Sequence, residues 1–185
     1  MPGWHAATKE LLASKKLNVI GIVQEQHPDR ARLFMKWKGM NWPILVDSLN
    51  RLGVSAVPIS LLIDEHGIIR AKVRNPRRSA KVLETFLVTN YAPPDRIEKE
   101  ARKTKDTTLA LADAMYLKGE AFYESAIATY RRAIQEGSGP DAKFRLGVAH
   151  RARYDSKDRR SGDFAAAVKA WGEALAARPN QYIWR

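Results

Sequence analysis

Residues 42–73 read Trp42-Pro43-Ile44-Leu45-Val46-Asp47, then 48–56, then Val57-Pro58-Ile59-Ser60-Leu61-Leu62-Ile63-Asp64, Glu65-His66-Gly67, and 68–73. The apolar runs at 59–63 and 68–73 flank Asp64-Glu65-His66-Gly67, which has the composition of a hairpin connection, with Gly67 able to take a positive φ. A continuous apolar run of this length is what a strand covered on both faces carries. The stretch therefore predicts a strand over 42–47, a short helical turn over 48–52 ended by Gly53, a strand over 59–63 opened by Val57-Pro58, and an antiparallel return over 68–73.

Upstream, residues 4–16 are good helix formers, with Trp4, Ala7, Leu11 and Leu12 on one face. Leu17-Asn18-Val19-Ile20-Gly21-Ile22-Val23 then reads as a central parallel strand. A helix leading straight into such a strand implies that the chain begins partway through a βαβ unit. Pro28 opens the next helix, which runs to about 38 with Ala31, Phe34, Met35 and Trp37 inward and Gly39 as C-cap. Downstream, Ser79 caps a helix to about 88 with Val82, Leu83, Phe86 and Leu87 on its apolar face. Tyr91-Ala92-Pro93-Pro94-Asp95 breaks the pattern, and a dense charge run follows.

In order, these pieces resemble the redoxin branch (alkyl hydroperoxide reductase/TlpA-like) of the thioredoxin fold. The matching residues are Gly21-Ile22-Val23, Pro43-Ile44-Leu45-Val46-Asp47, Gly53-Val54-Ser55-Ala56-Val57-Pro58 and Leu61-Leu62-Ile63-Asp64-Glu65-His66-Gly67-Ile68-Ile69. The resemblance implies a cis-proline substrate loop at Val57 and Pro58, and thiol–disulfide or peroxide reduction in a complete parent. The family's Cys-x-x-Cys at the start of the first helix has no counterpart, because the chain has no cysteine. The expectation is a start just downstream of that motif. A late start codon, an upstream selenocysteine codon read as stop, or a remnant kept for folding or binding would each fit.

From residue 107 the chain turns Ala-rich. Ala126, Tyr130 and Ala133 recur as Ala167, Trp171 and Ala174, the second set followed by Pro179, and Leu146-Gly147 forms a small-residue pair between them. This resembles the tetratricopeptide repeat, a helix-turn-helix unit of about 34 residues. Small residues let paired helices approach, and the aromatic fills the gap beside them. The two sets stand 41 positions apart, and the excess falls at 151–161, read as a lengthened first helix or a basic loop. Residues 181–185 would open another helix. Two such repeats without a cap leave apolar surface that a neighbour or partner would cover.

The expected fold is thus an α/β thioredoxin-like domain, incomplete at its N-terminus, over 1–92, a charged linker over 93–108, and an all-α tetratricopeptide-like array of helical hairpins over 109–185. The expected function is a truncated or degenerate redoxin with partner-binding repeats, redox-inactive as written. The alternative is a non-enzymatic interaction or scaffold module that holds a protein or peptide in the repeat groove.

With no cysteine, disulfides, thiolate metal sites and a cysteine nucleophile are excluded. His5, His27, His66 and His150 lack the spacing of a metal site, so no metal or cofactor is expected. No Gly-x-x-x-x-Gly-Lys phosphate loop or Gly-x-Ser-x-Gly elbow occurs. Asp47 and Asp64 read as turn formers. A net charge of +12 favours acidic partners. Basic clusters at 74–78, 96–105, 131–132 and 151–160 suggest a weaker nucleic-acid alternative, in which Trp37 or Trp42 would stack on bases. No run approaches the roughly 20 apolar residues of a membrane span. No signal peptide is visible, so the chain as written reads as cytoplasmic, although members of the resembled family often work in the periplasm or are secreted.

Overall fold

The computed structural model describes residues 2–24, 28–73, 79–93 and 106–184. The chain divides into two compact units. One comprises Met1–Val23, His27–Leu45 and Ala56–Glu100; the other comprises Gln24–Gln26, Val46–Ser55 and Ala101–Arg185. Most of the region expected as linker, 94–105, lies outside the described residues, as do His27 and the basic clusters at 74–78 and 96–105.

Along the first half come α1 (Pro2–Ala13), β1 (Gly21–Val23), α2 (Pro28–Trp37), β2 (Ile44–Val46), β3 (Ser60–Ile63), β4 (Ile69–Val73) and α3 (Ser79–Val88). β1 pairs with β2, and β3 with β4, as two separate two-stranded sheets. Gly21 lies so close to β2 that a Cβ there would stand 2.3 Å from Ile44 Cδ1. β3 and β4 run antiparallel in the register Ser60↔Val73, Leu61↔Lys72, Leu62↔Ala71, then shift so that Ile63 faces Ile69. Asp64 builds the turn: its carboxylate accepts from the backbone N–H of His66 (2.9 Å) and Ile68 (2.8 Å) and from Arg70 Nε (2.6 Å). Gly67 takes φ +80 there.

The α/β thioredoxin-like domain expected over 1–92 is corrected by this arrangement. Helix predominates, with seven α-helices among the described residues, and the strands are three to five residues long and pair only two by two. A central parallel strand gains hydrogen bonds on both edges and apolar cover on both faces. Among the described residues each strand has one partner, and Ile22, Leu45, Leu61, Ile63 and Ile69 stay exposed. The run at 59–63 buries only Leu62 within its strand, and residues 17–20 form no strand at all. α2 departs from expectation too. Phe34 and Trp37 are exposed, meeting each other edge-on at 6.0 Å, with Lys38 Nζ 3.4 Å from the Trp37 ring centroid. Trp42 is buried. The core of this unit includes Met40, Trp42, Leu62, Val73 and Leu83.

The second unit is built on α4 (Thr107–Leu117), α5 (Tyr123–Gln135), α6 (Pro140–Asp155) and α7 (Asp163–Ala177), with a 3-10 turn at Tyr182–Trp184. Local chemistry sets the helix ends. Asp106 caps α4 by accepting from Leu109 N at 2.8 Å. α5 closes with Ser138 N on Ala133 O (2.9 Å) and Gly137 N on Ile134 O (3.1 Å), which requires Gly137 at φ +94. Pro140 opens α6, where its missing N–H costs nothing. Consecutive helices pack against one another, and α6, between α5 and α7, buries Ala142, Phe144, Gly147, Val148, Ala149, His150 and Arg153. The excess sequence at 151–161 partly lengthens α6, which runs to Asp155. Residues 182–184 form a 3-10 turn rather than a new α-helix.

Candidate functional site

The Ala, aromatic and Gly positions of the second half are packing positions. Ala126, Tyr130 and Ala133 on α5 and Ala167 and Ala174 on α7 are fully buried. Ala126, Ile127 and Tyr130 join Ala112 of α4 and Ala149 of α6 in one cluster, with Leu146 against it. Gly147 faces Trp171: a Cβ at Gly147 would stand 2.4 Å from the indole nitrogen. That nitrogen donates to the Phe144 carbonyl at 3.2 Å. Pro179 lies exposed in the turn after α7. In the first unit the Val57–Pro58 peptide bond is cis, with Val57 exposed.

What these seams position is a second cluster. Leu49, 2% exposed, shares one buried cluster with Phe144 and Val148 of α6, Ala174 of α7 and Trp184. The Phe144 and Trp184 rings stack at 5.0 Å. Leu49 belongs to Val46–Ser55, the short segment that is part of the helical unit despite lying far away in sequence.

The segment is braced by its own side chains. Asp47 accepts from the backbone N–H of Arg51 at 2.8 Å and of Leu52 at 3.1 Å. Asn50, at φ +50, bonds reciprocally with Val54: its Nδ2 donates to Val54 O (2.9 Å) and its Oδ1 accepts from Val54 N (3.0 Å). Asn tolerates this left-handed conformation better than most residues. Gly53 follows at φ +62. The braced turn leaves the Leu49 side chain and several backbone carbonyls turned outward.

The helical unit takes hold of those carbonyls. Arg145 Nε donates to Leu49 O at 3.1 Å. Tyr182 N donates to Ser55 O at 3.0 Å. The buried Gln181 side-chain amide faces Val54 O and Ser55 O, and with its nitrogen assigned to that side by hydrogen-bond chemistry it donates to both at 3.1 Å. Arg145 is itself oriented by Asp113 of α4, whose Oδ2 lies 2.7 Å from Nη1. The other carboxylate oxygen accepts from the fully buried Tyr130 hydroxyl at 2.8 Å, and Arg51 of the segment approaches to 3.9 Å. Burial raises the Asp113 pKa, against the opposing pull of Arg145 and the Tyr130 hydrogen bond. Burial and the adjacent carboxylate both push the Tyr130 phenol upward, so it stays a donor.

A separate buried network ties α6 to α7. Asp163 pairs with Arg153 through Nε (3.0 Å) and Nη2 (2.5 Å), with His150 Nδ1 (3.0 Å) and with Arg160 N (2.9 Å). Burial alone would raise its pKa, but the bonds from Arg153, Arg160 N and His150 outweigh it and hold the carboxyl at about 2. Burial lowers the His150 pKa, Arg131 and Arg153 add to that, and the bond to Asp163 opposes it. Of the basic cluster at 151–160, Arg151 pairs with Asp155 (2.7 Å), Arg153 with Asp163 and Glu124, and Arg160 with Glu124 (3.0 Å). Arg159 donates to Tyr154 O (2.6 Å). These side chains are engaged within the fold.

Among the described residues no group of three or more His, Asp or Glu is placed to hold a metal, and no helix is long and apolar enough to cross a membrane. Sequence reasoning did not single out Leu49, Asp113, Arg145 or Trp184. The available signal was an Asp-x-x-Asn-x-x-Gly turn at 47–53 and Asp113 as the one charged residue of α4, whereas Arg145 stands among several other charged residues of α6. No family model, curated protein or solved structure matches the chain.

Proposed function

We propose that the chain is a non-enzymatic interaction module whose helical unit receives a short segment of a protein partner. One observation carries the reading: an apolar anchor, Leu49, is buried among α6, α7 and Trp184 while Arg145 holds its backbone carbonyl. An apolar pocket beside a donor aimed at the main chain is the chemistry of peptide recognition. The pocket selects the anchor, and the main-chain bond fixes register whatever side chains surround it. Preorganisation of Arg145 by Asp113 and Tyr130 lowers the entropy cost of making that bond. Thiol–disulfide exchange is not the reading that these residues support, since it needs a thiolate and the chain carries no cysteine.

The test is selection of a random-peptide display library on the full-length chain, followed by affinity measurements on synthetic peptides from the enriched set. The expected result is enrichment of peptides with a Leu-type anchor, whose binding falls at least ten-fold in Arg145→Ala. Arg145→Lys keeps the charge opposite Asp113 but lacks the guanidinium fork, and binding falls in it as well. No enrichment over bare support, or equal binding by wild type and both variants, would sink the proposal.

A further inference from the structure

Resting on the reading above, we infer that residues 46–55 are a built-in occupant of this site, and that the partner is a protein segment of the same chemistry which displaces them. That chemistry is a carboxylate bracing a turn, an apolar anchor two positions later, and an outward carbonyl at the anchor. Every bond that the helical unit makes to Leu49, Val54 and Ser55 cited above ends on a backbone carbonyl. Four of the bonds that shape the turn come from within the segment, through Asp47 and Asn50, and Gln24 Nε2 adds donations to Asp47 Oδ2 (3.0 Å) and Asn50 Oδ1 (3.4 Å). The turn thus follows directly on β2, holds its shape largely through its own side chains, and meets the helical unit through the Leu49 side chain, backbone carbonyls and the Arg51–Asp113 approach at 3.9 Å.

A tethered occupant acts at an effective concentration in the millimolar range, so it suppresses weak competitors and yields to stronger ones. The site is then closed by default and selective for partners that copy or improve on the turn. The basic balance of the chain adds a preference for acidic flanks on the incoming segment.

The experiment uses the full-length chain and a fluorescently labelled decapeptide, Val-Asp-Ser-Leu-Asn-Arg-Leu-Gly-Val-Ser, which copies residues 46–55. It is titrated into wild type, Leu49→Ala, and Leu49→Ala combined with Arg145→Lys, with circular dichroism on each. Leu49→Ala is expected to bind the peptide at least ten-fold more tightly than wild type, because its own segment no longer fills the pocket, and the double variant is expected to lose that gain. Should Leu49→Ala fail to fold, Asp47→Ala loosens the turn while leaving the anchor, and is expected to fall between wild type and the tenfold gain. Equal binding by wild type and a folded variant would overturn the built-in occupant and leave the binding site standing. Absence of binding to every folded variant would also overturn it. The Arg145 dependence of display-selected peptides then separately decides whether the site itself survives.

Discussion

Arg145 Nε donates to the carbonyl oxygen of Leu49 at 3.1 Å, joining positions 96 residues apart in sequence. The same guanidinium reaches Asp113 through Nη1 at 2.7 Å. One side chain thereby links α4, α6 and the segment 46–55. Its double role predicts that its removal affects both stability and the placement of the segment.

Arg145→Ala leaves the buried Asp113 without its main countercharge. Breaking one side of a buried pair costs about 3–5 kcal/mol, and the nearby Arg51 at 3.9 Å offsets only part. Urea unfolding is expected to show a loss of about 2–4 kcal/mol. Asp113→Asn combined with Arg145→Met, which removes both charges, is expected to recover at least half of that loss. A double variant as unstable as Arg145→Ala would mean that the carboxylate is not the source of the cost.

Gly147→Ala tests the contact between α6 and α7. A Cβ at Gly147 would meet Trp171 Nε1 at 2.4 Å and Cδ1 at 2.5 Å. Overpacking of this kind typically costs about 1–3 kcal/mol. Trp171→Leu in the same chain is expected to relieve most of it, so a thermal melt of the double variant should lie above that of Gly147→Ala. Strict additivity of the two losses would contradict the contact.

Asp163 and His150 predict a two-stage loss of stability in acid. His150 has a lowered pKa in the fold, so the unfolded chain takes up its proton first as pH falls below about 6.5, and stability declines from there. Asp163, held at about 2 against a usual 3.8, contributes stability above about pH 4 that is lost as pH falls towards 2. The second stage is worth on the order of 1–2 kcal/mol. His150→Gln is expected to flatten the unfolding free energy between pH 5 and 7 while leaving the steeper drop below pH 4. An unchanged slope between pH 5 and 7 would show that His150 is not the group titrating there.

Tyr130→Phe removes the hydroxyl that donates to Asp113 Oδ1 at 2.8 Å and leaves the ring in place. Losing one partner of a buried hydrogen bond costs about 1–3 kcal/mol. A loss within that range in urea unfolding is expected, whereas a neutral substitution would indicate that Asp113 is satisfied without the phenol.

The helical half was the more legible in sequence, for a physical reason. Helices are local, and Ala126, Tyr130, Ala133, Gly147, Ala167, Trp171 and Ala174 repeat at spacings that a helix seam requires. The first half misled because an apolar run such as 59–63 specifies a strand but not how many partners it finds. The residues of the run look the same whether the sheet has two strands or five, and among the described residues β3 pairs with β4 in a two-stranded sheet. The candidate site was least legible of all. Leu49 sits in a polar turn whose local sequence gives no sign that a helix 96 residues later holds its carbonyl.

The placement of Leu49 among aromatic rings offers the most direct test of the whole account. In a methyl-labelled full-length chain, the Leu49 methyl resonances are predicted to be shifted upfield by Phe144 and Trp184, with nuclear Overhauser contacts to both rings. Saturation with the decapeptide of residues 46–55 is predicted to move those resonances towards exposed values as the added peptide takes the pocket. Leu49 methyls at exposed values from the outset, or upfield and unmoved at saturating peptide, would contradict a displaceable segment seated on the helical unit.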